Sequence, residues 1–140
     1  MYRWVDHTSE LELRVEAETE ADVLEEAGAA LAELLRGDGE ERAAGGGEGA
    51  AKPVTRAIEV DADDRPQLLA AWLEELVFLA ESQGVVVADV RFETLDERGL
   101  RAVVTGERGD PPHLVKAVTY HRLSFERADG GWVATVVLDV

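Results

Sequence analysis

The sequence has no cysteine and only three histidines, His7, His113 and His121. Without thiols there are no disulfides, thiolate metal sites or cysteine nucleophiles, and nothing asks for an oxidising compartment, so a cytoplasmic location is expected. Positive charge is scarce: Lys52 and Lys116 are the only lysines, and 14 basic residues face 30 acidic ones, for a formal net charge of -16. Nucleic acid is held largely by cations that displace counterions, so strong direct nucleic-acid binding is not expected, and a cationic partner fits better. No apolar run reaches bilayer-spanning length, and the opening Met1-Tyr2-Arg3-Trp4-Val5-Asp6 lacks the apolar stretch of a signal peptide, so no membrane association is expected. Gly45-Gly46-Gly47 lacks the GxxxxGK[ST] pattern and its strand-to-helix setting, which excludes a phosphate loop there.

What remains is the pattern of one domain over residues 1–140. Leu11, Leu13 and Val15 alternate with Glu12, Arg14 and Glu16, the period of a strand with one buried and one wet face, and Glu10 stands at its start. Thr19, three residues before Asp22, caps a helix whose Val23, Leu24, Ala27, Leu31, Leu34 and Leu35 share a face, and which ends near Arg36-Gly37. Residues 37–52 are Gly, Ala and Glu with little to bury, and read as a mobile loop. A strand from Val54 to about Asp61 follows, then a helix capped at Asp63 or Asp64, with Pro66 in its first turn and Gly84 at its end. Strands are then expected over Val85 to Leu95, Leu100 to Glu107, Val115 to His121, Leu123 to Arg127 and Trp132 to Leu138. The last two flank Ala128-Asp129-Gly130-Gly131, a hairpin turn. The order β-α-β-α-β-β-β-β-β gives an α+β fold, a mixed and mainly antiparallel sheet with two helices packed on it.

Three places offer polar chemistry. His7, beside Asp6, Thr8 and Glu10, forms the densest polar cluster, which serves either a turn or a site. Asp139 follows the apolar Val136-Val137-Leu138 and precedes Val140 with its terminal carboxylate. If the last strand lies beside the first, Glu10 joins these carboxylates in the oxygen-rich set that hard cations such as Ca²⁺ or Mg²⁺ take; the alternative is a frayed, solvated end. In the segment Val115 to His121, Lys116, Val118 and Tyr120 face one way while Ala117, Thr119 and His121 face the other, so one face is either functional or ordinary strand surface. Trp72 and Trp132 read as core.

Asp6-His7-Thr8-Ser9-Glu10, Trp72-Leu73-Glu74-Glu75-Leu76, Val115-Lys116-Ala117-Val118-Thr119-Tyr120-His121, Asp129-Gly130-Gly131-Trp132 and Leu138-Asp139-Val140 resemble, in that order, the motifs of the archease family over nearly the whole chain. The resemblance implies a non-catalytic protein that activates an RtcB-type RNA ligase in tRNA splicing, promoting its GTP- and metal-dependent guanylylation and its multiple turnover. It also implies a divalent cation (Ca²⁺, Mg²⁺ or Mn²⁺) held by Glu10, Asp139 and the Val140 carboxylate, with Asp6, His7, Lys116 and His121 as functional neighbours. The sequence departs from the family in carrying Glu10 where relatives usually carry Asp, and in a shorter loop from Gly106 to Leu114, and His113 is left outside the site. Two rival readings come from other classes. One is a small metal-dependent hydrolase using the same carboxylates with His7 or His121 as proton carrier. The other is a chaperone-like module that binds partner segments without metal.

Overall fold

A computed structural model of the chain describes residues 1–7, 9–37, 53–109 and 115–140. Among them the elements run β1 (Tyr2–His7), β2 (Glu10–Ala17), α1 (Glu20–Arg36), β3 (Pro53–Asp61), α2 (Arg65–Gln83), β4 (Val85–Asp96), β5 (Gly99–Arg108), β6 (Ala117–Ala128) and β7 (Gly131–Asp139). The α+β class with two helices and seven strands is therefore as expected. The sheet is not mixed: the strands form two sheets, β1-β2-β7-β6 and β3-β5-β4, and every pairing is antiparallel. Two further differences cancel in the strand count. Tyr2 to His7 is a strand of its own, hairpinned to β2, so His7 closes a strand instead of opening one. The segments expected as separate strands on either side of Arg122 are one strand, β6, because Arg122 turns the backbone at φ 58° without ending it. The loop expected at 37–52 falls almost wholly outside the described residues, as does His113.

Local signals account for the helix ends. The Thr19 hydroxyl accepts the Asp22 N–H at 3.1 Å, and the Asp64 carboxylate accepts the Gln67 N–H at 2.9 Å, each satisfying a donor the first turn leaves unpaired. Gly84, in the left-handed region at φ 65°, turns its N–H back to Ala80 and stops α2. Each helix touches strands of both sheets: α1 lies against β2 and β4, and α2 against β6, β4 and β3. One core results, into which Leu13 and Val15 of β2 and Val136 and Leu138 of β7 project from one side, and Ile58, Val60, Leu100 and Val104 from the other. Trp72 is fully buried between the layers and donates its indole N–H to the Leu24 carbonyl at 2.9 Å, so the largest core side chain leaves no polar atom unpaired. Trp132 is only half-buried, with the guanidinium groups of Arg65 and Arg127 at 4.8 and 5.2 Å from its ring.

The β6–β7 hairpin closes through Asp129 and Gly130, both at positive φ (44° and 81°), the conformation a two-residue turn needs to match the twist of its strands. The turn fixes the start of β7 against the end of β6. At its other end β7 reaches the start of β2, and there the expected site residues gather.

Candidate functional site

Residues directly opposite one another in an antiparallel ladder share a face of the sheet. Glu10 of β2 stands opposite Asp139 of β7, which stands opposite Ala117 of β6, and His7 of β1 occupies the register position opposite Glu10. The first and last segments of the chain are thus neighbours, and two carboxylates from its opposite ends lie side by side. The Val140 N–H donates to the Ser9 carbonyl at 3.3 Å, just outside the Glu10 and Asp139 pair. That is the pattern of a non-hydrogen-bonded pair, the closer of the two antiparallel spacings, with Cα atoms about 4.5 Å apart. On the other flank the Lys116 N–H donates to the Asp139 carbonyl at 2.8 Å. Backbone bonds to both neighbouring segments hold Asp139 and Val140, so this end is fastened where a frayed one was the alternative.

Both carboxylate residues are partly exposed, and Val140 is exposed, so the pair opens to solvent at the rim of the sheet. The other expected neighbours divide. Lys116 is exposed and adjoins the pair through its backbone. Asp6 stands opposite Leu11, one position out of phase with Glu10, and belongs to the other face of the hairpin. His121 lies further along β6, exposed, its N–H donated to the Thr119 hydroxyl at 3.3 Å. It falls in the stretch between Thr119 and Ser124 where the register with β7 shifts, and so is not in the Glu10 row. Among the described residues no three His, Cys, Asp or Glu side chains gather closely enough to hold a metal ion.

Sequence reasoning missed the residue next to this pair. Glu12 follows Glu10 on the same face, opposite Val5 and Val137, and is 1 % exposed. The face expected to be wet is therefore closed at its centre. Arg14 donates from Nε to Glu12 Oε2 at 2.6 Å, and Arg122 donates from Nη1 to Oε1 at 3.2 Å. Burial on its own would push the Glu12 carboxyl up, but the two guanidinium groups outweigh it and hold the pKa below the ordinary carboxylate value. Arg122 is the positive-φ residue of β6, so the buried carboxylate and the backbone irregularity next to His121 are one unit. Arg14, two residues on and on the same face, was a legible hint of an ion pair; Arg122 was not, because only the sheet brings it near.

The family model of the Archease protein family matches residues 2–140. A protein archease of Methanopyrus kandleri is 37 % identical over 97 % of this chain and 96 % of its own length, and that of Methanosarcina mazei is 30 % identical over 99 % and 95 %. Among solved structures, the solution structure of Methanobacterium thermoautotrophicum protein 1598 superposes with a TM-score of 0.73 at 25 % identity, covering 99 % of this chain and 98 % of that one. An archease of Thermotoga maritima, described as a possible chaperone, shares the fold with a TM-score of 0.67 at 18 % identity, over 100 % and 98 % of the two chains. With the family's pattern running from the first residue of β1 through Val140, just past β7, the chain belongs to the archease family.

Proposed function

We propose that this protein is a non-catalytic cofactor of an RtcB-type RNA-splicing ligase, which it activates by promoting guanylylation and repeated turnover, and that its working end is the junction of β2 and β7. The observation that carries the reading is the register of Glu10 against Asp139, with Val140 tied to Ser9 beside them. Two carboxylates at the close antiparallel spacing, with the terminal carboxylate of Val140 next in the chain, form an all-oxygen donor set. Such a set fits hard divalent cations, Ca²⁺, Mg²⁺ or Mn²⁺, in preference to softer ions that favour nitrogen and sulfur. The Glu10 side chain is one methylene longer than the Asp usual in relatives, on a Cα that stands opposite that of Asp139.

A bound cation at this end would supply positive charge and open coordination positions at a metal- and GTP-dependent active site. The chain's own contribution is positional. Glu10 and Asp139 come from a sheet pinned by backbone hydrogen bonds, and the excess negative charge of the whole chain steers it towards the cationic rim of a site that binds RNA and nucleotide. The test is to measure ligase guanylylation and turnover with Glu10→Ala and Asp139→Ala proteins, alongside cation binding by calorimetry. Both variants should lose cation binding and stimulation together; full stimulation by both removes the carboxylates from the mechanism.

A further inference from the structure

The large apolar side chains exposed among the described residues are Met1, Phe78, Tyr120 and Val140, and two of these flank one residue, Glu74. Phe78, 57 % exposed, lies on α2 four residues after Glu74, so the two share a helix face. Glu74 accepts a hydrogen bond from the Tyr120 hydroxyl at 3.2 Å, and Tyr120 is 63 % exposed on β6, the outermost strand of its sheet. The Glu74 charge, reinforced by partial burial and by the hydrogen bond, raises the phenol's pKa, so it remains a donor at neutral pH. The tether orients the Tyr120 ring without covering it. A single exposed aromatic is ordinary on a protein surface, whereas here a second one stands a helical turn from the carboxylate that tethers the first, and the tether lowers the entropy Tyr120 loses on contact.

Charge selects the occupant. Glu74, Glu75 and Glu81 are exposed around Phe78, and no lysine or arginine follows Arg65 in α2. A guanidinium laid on either ring gains the attraction of the π face and carboxylate hydrogen bonds together. An aliphatic segment would instead bury those carboxylates without a partner.

We propose that Phe78 and Tyr120, with Glu74 between them, form a docking surface for an arginine-bearing basic segment of the partner protein. This rests on the ligase reading above and adds that affinity resides apart from the carboxylate end. Tyr120 lies three residues along β6 from Ala117, the position opposite Asp139, a separation of roughly 10 Å. Tyr120 stands on the α2 side of the sheet and the Glu10 and Asp139 pair on the other, so a partner gripped at Tyr120 reaches the pair around the β6 edge.

Calorimetric titration of purified RtcB-type ligase with wild type, Phe78→Ala, Tyr120→Ala, Glu74→Gln and, as a distant control, Glu126→Gln tests this at low and high salt. Each ring variant should raise Kd at least about tenfold, as central interface aromatics do. Glu74→Gln should weaken binding and flatten its salt dependence, and Glu126→Gln should stay within about twofold. Circular dichroism spectra should match throughout, since both rings lie outside the core. Unchanged Kd for both ring variants overturns the docking surface and leaves the activator reading standing. A wild-type complex indifferent to salt overturns the basic occupant. No binding of the wild-type chain overturns the activator reading, and the docking surface with it.

Discussion

The two faces of the β1-β2-β7-β6 sheet bury their centres by opposite means. The inner face closes over Leu13, Val15, Val136 and Leu138 with two helices, and what matters there is shape. The outer face closes over Glu12 with two arginines drawn from its own strands, and what matters there is the pairing of charge. Val137, opposite Glu12, is 2 % exposed yet stands apart from the main core, so the outer face has a small buried centre of its own. The difference shows what an open sheet face can carry. An aliphatic centre would have left Arg122 no partner, and with it no anchor for the irregular stretch of β6 that presents Tyr120 and His121. A buried ion pair adds little net stability, but it specifies where its partners sit.

The contrast can be broken by substitution, and the inner face should give the largest effect. Leu13→Ala leaves a cavity under α1 and should cost about 3 kcal/mol in urea unfolding, with no dependence on pH. Next comes the carboxylate pair at the rim. A divalent cation at about one hundred times its Kd should stabilise wild type by about 2.7 kcal/mol, and Asp139→Asn should abolish most of that gain in a thermal melt while leaving the cation-free protein nearly unchanged.

Glu12→Gln should cost roughly 2 kcal/mol at neutral pH, less than loss of a partner within a fully buried pair, because Arg14 and Arg122 are half-exposed and return to water. Its pH signature separates it from Leu13→Ala. The folded Glu12 pKa lies below its ordinary value of 4.5, so its contribution is present above that value and is lost as pH falls through the folded pKa. Wild type and Glu12→Gln should therefore converge on acidification, where wild type and Leu13→Ala keep their gap. The smallest effect concerns Arg122, held at φ 58°. Replacement by Ala and by Gly removes the same ion pair, but Gly accepts that backbone freely, so Arg122→Gly should be more stable than Arg122→Ala by about 1 kcal/mol.

What the sequence disclosed and what it hid divide along the same line. Thr19, Asp64 and Gly84 act within a few residues of themselves, and both helices could be bounded from them. Asp129-Gly130 is equally local, and its turn is where it was expected. β1 was missed because Tyr2 to His7 offers no clean alternation: Trp4 and Val5 are adjacent apolar residues, and both are partly covered only once β2 pairs with them. The separation into two sheets depends on which edge each helix covers, a property of the assembled fold. At the site, the juxtaposition of Glu10 and Asp139 came from family resemblance and a conditional about neighbouring strands, and the register supplies the condition. Glu12 carried no such mark, since a glutamate in an alternating Glu-x-Glu-x-Arg strand reads as wetted surface until Arg122 arrives from β6.

The place of β7 has a consequence for how the protein comes into being. It is the last strand in the chain, yet it lies in the interior of its sheet, between β2 and β6. A ribosome-bound chain lacking it holds the β1–β2 hairpin and β6 with nothing to join them, and Glu10 without Asp139. The carboxylate pair is thus absent until β7 has emerged and the sheet has closed around it, so a partner that reads the pair reads a closed sheet.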